Sequence, residues 1–299
     1  MTLVNPAGSG MATTAEGLRD GGLEPLQADA VGTAGAAGTF ALTAAVRLWF
    51  AVAVAGQLFF VAHIVSFYGR AAVAGDFARW NKTLSHGYVP GDHLGNAAMG
   101  MHLAMAAFIT LGGPIQLIPW IRARFPAFHR WSGRAYIAFA VLASTSALYL
   151  SLIRGESSGG VFQRAAVDIN AVLILLCAAM ALRYALARQF AVHRRWAIRL
   201  FLVVSGVWFF RAGVFFWILI NHGPVGFNPD TFEGPALVVL GFAQYLVPLT
   251  VFELYLRTRQ RAGAAGHFAM AALLVLLTVA MGIGIVGHGV FSVTSGVAF

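Results

Sequence analysis

Charge is scarce in this chain of 299 residues: only 10% are Asp, Glu, Lys or Arg, against roughly 25% in soluble domains. With 59% hydrophobic residues there is too little polar surface to clothe a water-soluble fold of this size. Cysteine is nearly absent. The single Cys177 lies inside the apolar run Val172 to Ala181, which excludes an internal disulfide and a Cys-ligated zinc site and reads as a small packed residue. Acids are outnumbered by bases, eleven to twenty. That excess would suit a nucleic acid only if it were clustered on a solvated face, whereas here the bases sit in short gaps between apolar runs, so no nucleic-acid partner is expected. Also missing are a GxSxG elbow, a P-loop, an HExxH helix and paired carboxylates. Soluble-type hydrolase or kinase chemistry therefore has no carrier, and whether the chain is an enzyme stays open.

What the chain does have is length of apolar sequence. Crossing a hydrocarbon core takes about 20 mostly apolar residues at about 1.5 Å each. Seven runs meet that need: Leu48 to Tyr68, Leu94 to Ile118, Ala135 to Ile153, Val167 to Leu186, Ala197 to Ile220, Pro235 to Leu256 and Phe268 to His288. The fold expected is an all-α, multi-pass transmembrane bundle of about seven spans embedded in a lipid bilayer. The third and fourth runs are the shortest, so a merged or re-entrant pair there is the main threat to the count. Trp49, Trp120, Trp131, Trp196 and Tyr255 fall at run ends, where amphipathic rings favour the headgroup layer.

The bases set the expected orientation, because cytoplasmic loops keep an excess of Arg and Lys. Arg122, Arg124, Arg130 and Arg134 follow the second run; Arg183, Arg188, Arg194, Arg195 and Arg199 follow the fourth; Arg257, Arg259 and Arg261 follow the sixth. The other side has fewer bases (Arg70, Arg79, Lys82, Arg154, Arg164) and collects Asp76, Asp92, Glu156, Asp168, Asp230 and Glu233. The N-terminus is thus expected inside and the C-terminus outside a bacterial-type cytoplasmic (inner) membrane. Residues 1–43, rich in Ala, Gly and Thr, are expected to be a disordered leader, with Met11 as an alternative start and no cleaved signal peptide. Residues 44–257 form the expected six-helix core and 258–299 an added C-terminal span. Gly282, Gly284, Gly287 and Gly289 in that span permit close helix approach, within the chain or between copies in a homo-oligomer. The stretch Gly69 to His93, with the turn Pro90-Gly91-Asp92, is the longest outer loop and a candidate lid.

One internal echo links His129-Arg130-Trp131-Ser132-Gly133-Arg134 to His193-Arg194-Arg195-Trp196-Ala197-Ile198-Arg199, both at the start of a span on the arginine-rich side. Such positions anchor lipid headgroups and offer free helix N–H groups to an anion. They are candidate interfacial anion or headgroup residues, and the two hairpins that carry them are candidate duplicates. These segments, with Gly112-Gly113-Pro114-Ile115-Gln116-Leu117-Ile118-Pro119, Arg122 to Arg124, Pro126, Tyr88 to Asp92 and Trp208 to Arg211, resemble a bacterial family of predicted membrane proteins, domain of unknown function 2306. The resemblance covers roughly residues 50 to 257. It implies a multi-pass membrane protein and assigns no activity, ligand or catalytic residue.

Ionisable side chains within spans are costly and serve function or pair with one another. His63 and His102 sit at similar depth on the first and second spans, Arg211 near the middle of the fifth with no mid-membrane acid as partner, and His222 and His288 end the fifth and seventh. Gln57, Gln116, Asn170 and Gln244 add polar atoms. Two imidazoles facing each other from adjacent helices suit axial ligation of one haem b, with a propionate as Arg211's counter-charge. Only one haem level is available, since the residue fourteen beyond His102 is Gln116. No acid or HxxxH pair supports a divalent metal site. Haem-linked redox work or small-ligand binding at His63, His102 and Arg211 is the leading reading. The alternatives are transport of a small anionic solute on Arg211, with Gly112 to Pro119 as a helix break, and a structural or lipid-interacting role without catalysis.

Overall fold

The structure, a computed structural model, describes residues 24–84, 86–153 and 160–295. Among them the regular structure is helical, with no β-strand. α1 (Glu24–Ile64) runs through one wider turn at Val65–Gly69 into the short α2 (Arg70–Val73). After a loop come α3 (His93–Leu117), the short α4 (Pro119–Arg124), α5 (Pro126–Leu152), α6 (Gly160–Leu186), α7 (Phe190–Val204), α8 (Gly206–Ile220), α9 (Pro235–Arg261) and α10 (Ala264–Ser295). Six helices are long and apolar enough to cross a membrane, and α7 with α8 makes a seventh if the bent pair is one span. A bilayer core leaves every backbone polar group to be satisfied by the chain itself, which long helices do within one segment.

The third and fourth spans are not the weak point. α5 and α6 have 27 residues each, because helical sequence continues past the apolar runs into Pro126 to Arg134 and Gly160 to Ala166. The irregular span is the fifth, which bends by 49° between Val204 and Gly206. The cause is a Ser-Gly pair, a recognised site of helix kinks. Ser205 Oγ donates to the Phe201 carbonyl (2.8 Å) and accepts from Gln57 Nε2 on α1 (2.8 Å). A Cβ on Gly206 would stand 2.9 Å from Asn170 Nδ2 on α6, so a side chain there would displace that amide. The break weighed for Gly112 to Pro119 forms only at its end: α3 stays helical through Gly112, Gly113 and Pro114, stops at Leu117 and is followed by α4 from Pro119. Gly113 is a packing notch instead, since a Cβ there would lie 2.8 Å from the Phe201 ring.

α1 starts at Glu24, ahead of the boundary expected at residue 43; residues 1–23 lie outside the described residues, as do Arg154 and Glu156. The alanine-rich stretch before Leu48 has high helix propensity and a partner: Leu42 and Ala45 pack with Met270, Ala271 and Leu274 of α10. α1 and α10 lie side by side and run the same way, Gly38 meeting Ala264 and His267 near their starts and Gly56 meeting Ile285 further along. α10 also packs along α8. Alternation of the spans gathers the ends of α3, α6 and α9 with the starts of α5, α7 and α10 at one end, called the arginine end. The opposite end carries the long loop between α2 and α3.

Small residues make the α8–α10 contact close. Gly284 faces the Ala212 carbonyl directly, and a Cβ on Gly287 would lie 2.6 Å from Leu219. The close approach that these two glycines permit is therefore made inside the chain, whereas Gly282 has open space around it. Gly→Ala normally favours a helix by about 0.5–1 kcal/mol. Thermal unfolding in detergent should show Gly282→Ala neutral or stabilising, and Gly284→Ala destabilising by about 1–3 kcal/mol through overpacking against backbone. Equal midpoints for the two variants would contradict this packing.

Candidate functional site

Arg211 stands in the second half of the broken span, nine residues before its Ile220 end, or about 14 Å at about 1.5 Å per residue. That is close to the midplane of a hydrocarbon layer about 30 Å thick, where an arginine costs about 2.5–3.5 kcal/mol on insertion scales. Its guanidinium lies over the Phe60 ring of α1, 5.4 Å from the centroid, and within reach of the Tyr68 hydroxyl. Its Nε has no hydrogen-bond partner, and among the described residues no carboxylate pairs with it. With Gly56, Phe59, Trp208, Ile285 and His288 it lines a cavity of about 10 Å³, room for one water.

Two histidines flank this charge. His63 of α1, 9% exposed, has an Nε2 without a hydrogen-bond partner, and its ring packs against that of His288 on α10 with centroids 5.7 Å apart. Phe215 stacks on His288 at 4.8 Å and Phe59 meets it edge-on at 5.4 Å. His63 is followed by the wide turn Val65–Gly69, a form of helix found often at functional sites. That turn places Phe67 and Tyr68 against the His63 ring, at 6.0 and 6.3 Å.

Tyr68 connects the cluster to the loop at this end. Its hydroxyl hydrogen-bonds Thr83 (2.9 Å), and Trp80, 4% exposed, donates from Nε1 to the Tyr68 carbonyl (3.2 Å). The loop is strapped by two asparagines. Asn81 bonds both backbone groups of Tyr88, and Asn96 both of Val89, at 2.7–2.9 Å. Gly91 turns the chain at φ 82°, and Asp92 caps α3 by accepting from Gly95 N–H (2.9 Å). The stretch read from sequence as a lid is folded down over Tyr68 and tied in place.

Of the three residues expected to form one site, His63 and Arg211 come together. His102 has other company: its Nδ1 lies 3.0 Å from the Ala143 carbonyl and 3.4 Å from Ser146 Oγ, both on α5. The imidazole beside His63 is His288, on the last helix. The polar centre thus lies among α1, α8 and α10 rather than among the first, second and fifth spans. Sequence reasoning noted His288 but could not pair it, because the α1–α10 contact joins residues more than 200 positions apart. Gln57 and Asn170, noted in the sequence only as added polar atoms, meet at the break: 2% and 4% exposed, each carries an amide oxygen without a hydrogen-bond partner beside Ser205.

At the arginine end the echoed segments meet. His129 of α5 lies within electrostatic reach of Arg122 on α4, of its neighbour Arg130 and of His193 on α7. The Gln116 amide, oriented to satisfy its neighbours, donates to His129 Nδ1 (3.1 Å) and accepts from Ser132 Oγ (2.7 Å). His193 Nδ1 donates to the Ala181 carbonyl (2.8 Å), joining α7 to α6. In both segments the arginine three residues after tryptophan lies over it at 4.9 Å, Arg134 over Trp131 and Arg199 over Trp196. Arg199 is withdrawn from the free cations by Glu253 of α9 (2.6 Å). Arg194 and Arg195 are exposed. Arg122, read in the sequence as an orienting base and not among the candidate anion or headgroup residues, joins the cluster from α4, which starts at Pro119.

No curated protein and no solved structure matches the chain. A family model described as a predicted membrane protein (DUF2306) matches residues 99–256, more than half of the chain. The match begins inside α3, later than the residue 50 expected, and leaves out α1, the loop motif Tyr88 to Asp92 and α10. Arg211, His129 and His193 fall within it; His63, Tyr68 and His288 fall outside. The chain belongs to the DUF2306 family of predicted membrane proteins.

Proposed function

We propose that this membrane protein binds a small monovalent anion within the bundle at Arg211 and passes it across the bilayer, with the loop above Tyr68 as the cover of one entrance. The observation that carries this reading is the mid-span guanidinium that lines a cavity, has no carboxylate partner among the described residues and keeps an Nε without a hydrogen bond. A cation so placed is best balanced by a mobile counter-ion, since the costs of burying each charge then offset one another. The bend at Ser205 supports it, because discontinuous spans are a recurring element of transporters and Arg211 rides on the half-helix beyond the break. The cavity suits an ion of water size better than a large cofactor. Haem-linked redox work is the rival reading, and it loses support from the separate surroundings of His63 and His102.

Trp208 lines the same cavity and reports on it. Iodide or chloride should quench the purified protein saturably, and the saturable part should vanish in Trp208→Phe. Arg211→Gln should weaken apparent affinity about 10–100-fold, the equivalent of a charge-assisted contact of about 1.5–3 kcal/mol, with helix content unchanged by circular dichroism. Anion flux into proteoliposomes should fall in step. Wild-type flux and quenching in Arg211→Gln would end the proposal, and a Soret band lost in His63→Ala or His102→Ala would move the function to haem chemistry.

The arginine end is proposed to face the cytoplasm of a bacterial cell, with the N-terminus inside and the C-terminus outside, on the strength of its excess of bases. In a Cys177→Ser background, a membrane-impermeant maleimide on intact cells should label Lys82→Cys in the loop and spare Ala123→Cys on α4. The reverse pattern would invert the topology.

A further inference from the structure

Cations at the arginine end are not evenly spread. Arg199 is paired with Glu253, and Arg134 lies over Trp131. Arg122, Arg130 and His193, by contrast, all lie within electrostatic reach of His129, so two arginines and two imidazoles share the junction of α4, α5 and α7. Both arginines are exposed, so water screens their mutual repulsion, while an anion placed between them and His129 would be attracted by both. Among the described residues no carboxylate pairs with Arg122, Arg130, His129 or His193.

The histidines are half-buried and fixed, which distinguishes them from arginines that merely reach into solvent. Gln116 donates to His129 Nδ1, so the ring proton of His129 is on Nε2 and available to an acceptor. His193 is held through Nδ1 by the Ala181 carbonyl, which orients its ring in the same way that outer partners orient histidines in binding sites. Trp120 and Trp131, 64% and 70% exposed, stand beside the junction, as do exposed Phe125 and Phe128. Exposed aromatic rings of this kind mark the headgroup level of a membrane protein.

We infer that the junction of α4, α5 and α7 is a phosphate site, in which a phosphodiester or phosphate group is held by Arg122 and Arg130 and accepts a hydrogen bond from His129 Nε2, with the oriented His193 ring beside it. Arginine suits this role because its planar fork matches phosphate oxygens. The site is separate from the Arg211 cavity: it lies at the other end of the bundle, within the family match, and uses none of the same residues. It stands whether or not the anion-passage reading does.

The test uses the full-length protein in neutral detergent, with thermal unfolding and native mass spectrometry as readouts. Phosphatidylglycerol in mixed micelles should raise the unfolding midpoint and remain bound as discrete adducts, whereas phosphatidylcholine should do so about ten-fold less well or worse. Arg130→Gln with His193→Gln should remove the effect, and His129→Gln alone should weaken it if the double variant fails to fold. Arg257→Gln on α9, which removes one charge from the same end but outside the junction, should behave as wild type. Inorganic phosphate identifies the source: stabilisation by millimolar phosphate, lost in the same variants, means a free anion, and stabilisation by the anionic lipid alone means a headgroup. Loss of the same size in Arg257→Gln, or stabilisation by neither probe, overturns the site.

Discussion

The close approach of α10 to α8 and α1 is the contact on which the rest of the cluster depends. Lipid tails are as apolar as leucine, so helices in a bilayer are held by packing and by hydrogen bonds rather than by escape from water. Gly284 against the Ala212 carbonyl, and Gly56 against Trp208 and Ile285, let backbones come near enough for His288 to meet His63 and for both to flank Arg211. A helix with larger side chains along that stripe would stand off, and the arginine would face hydrocarbon. Membrane packing and buried charge are thus one problem here: the small residues create the polar neighbourhood that makes a mid-span guanidinium tolerable, helped by the Phe60 ring and the Tyr68 hydroxyl.

The two ends of the bundle treat positive charge in different ways. At the arginine end the cations sit at the boundary, mostly exposed and stacked on aromatic rings, one of them neutralised by Glu253. Toward the loop end a single cation is sunk between helices and sealed by a strapped loop. The first arrangement is consistent with contact to fixed negative groups at a membrane surface, the second with a small guest that comes and goes. The bend at Ser205 separates them, since α7 carries His193 and α8 carries Arg211.

Much of the architecture was legible from hydropathy alone, because about 20 apolar residues between basic gaps leave few alternatives to a spanning helix. Family membership was legible from local motifs, and the matched residues 99–256 contain most of them. Two local features escape a reading of the sequence for the same reason. Gly112-Gly113-Pro114 looks like a break and is a notch for Phe201, while Ser205-Gly206 looks unremarkable inside an apolar run and is the break. In each case the outcome is set by which side chain the neighbouring helix presents, and that is not a property of the segment. Arg199 looked like a free interfacial cation because its partner Glu253 is 54 residues away. The same limit hid the pairing of His63 with His288, which rests on the meeting of the first and last helices.

That meeting has a consequence for biogenesis. α1 leaves the ribosome long before α10, yet they lie parallel, with Thr39 bonded to His267 across 228 residues of sequence. The face of α1 that bears Leu42, Ala45 and Gly56 must therefore wait, in lipid or in the care of the insertion machinery, until α10 has been made. Only then does His288 reach Arg211 and close the polar cluster. A chain cut short before α10 would insert most of its spans and still leave its buried arginine without one wall of its cavity, which gives quality-control proteases a clear mark of an incomplete molecule.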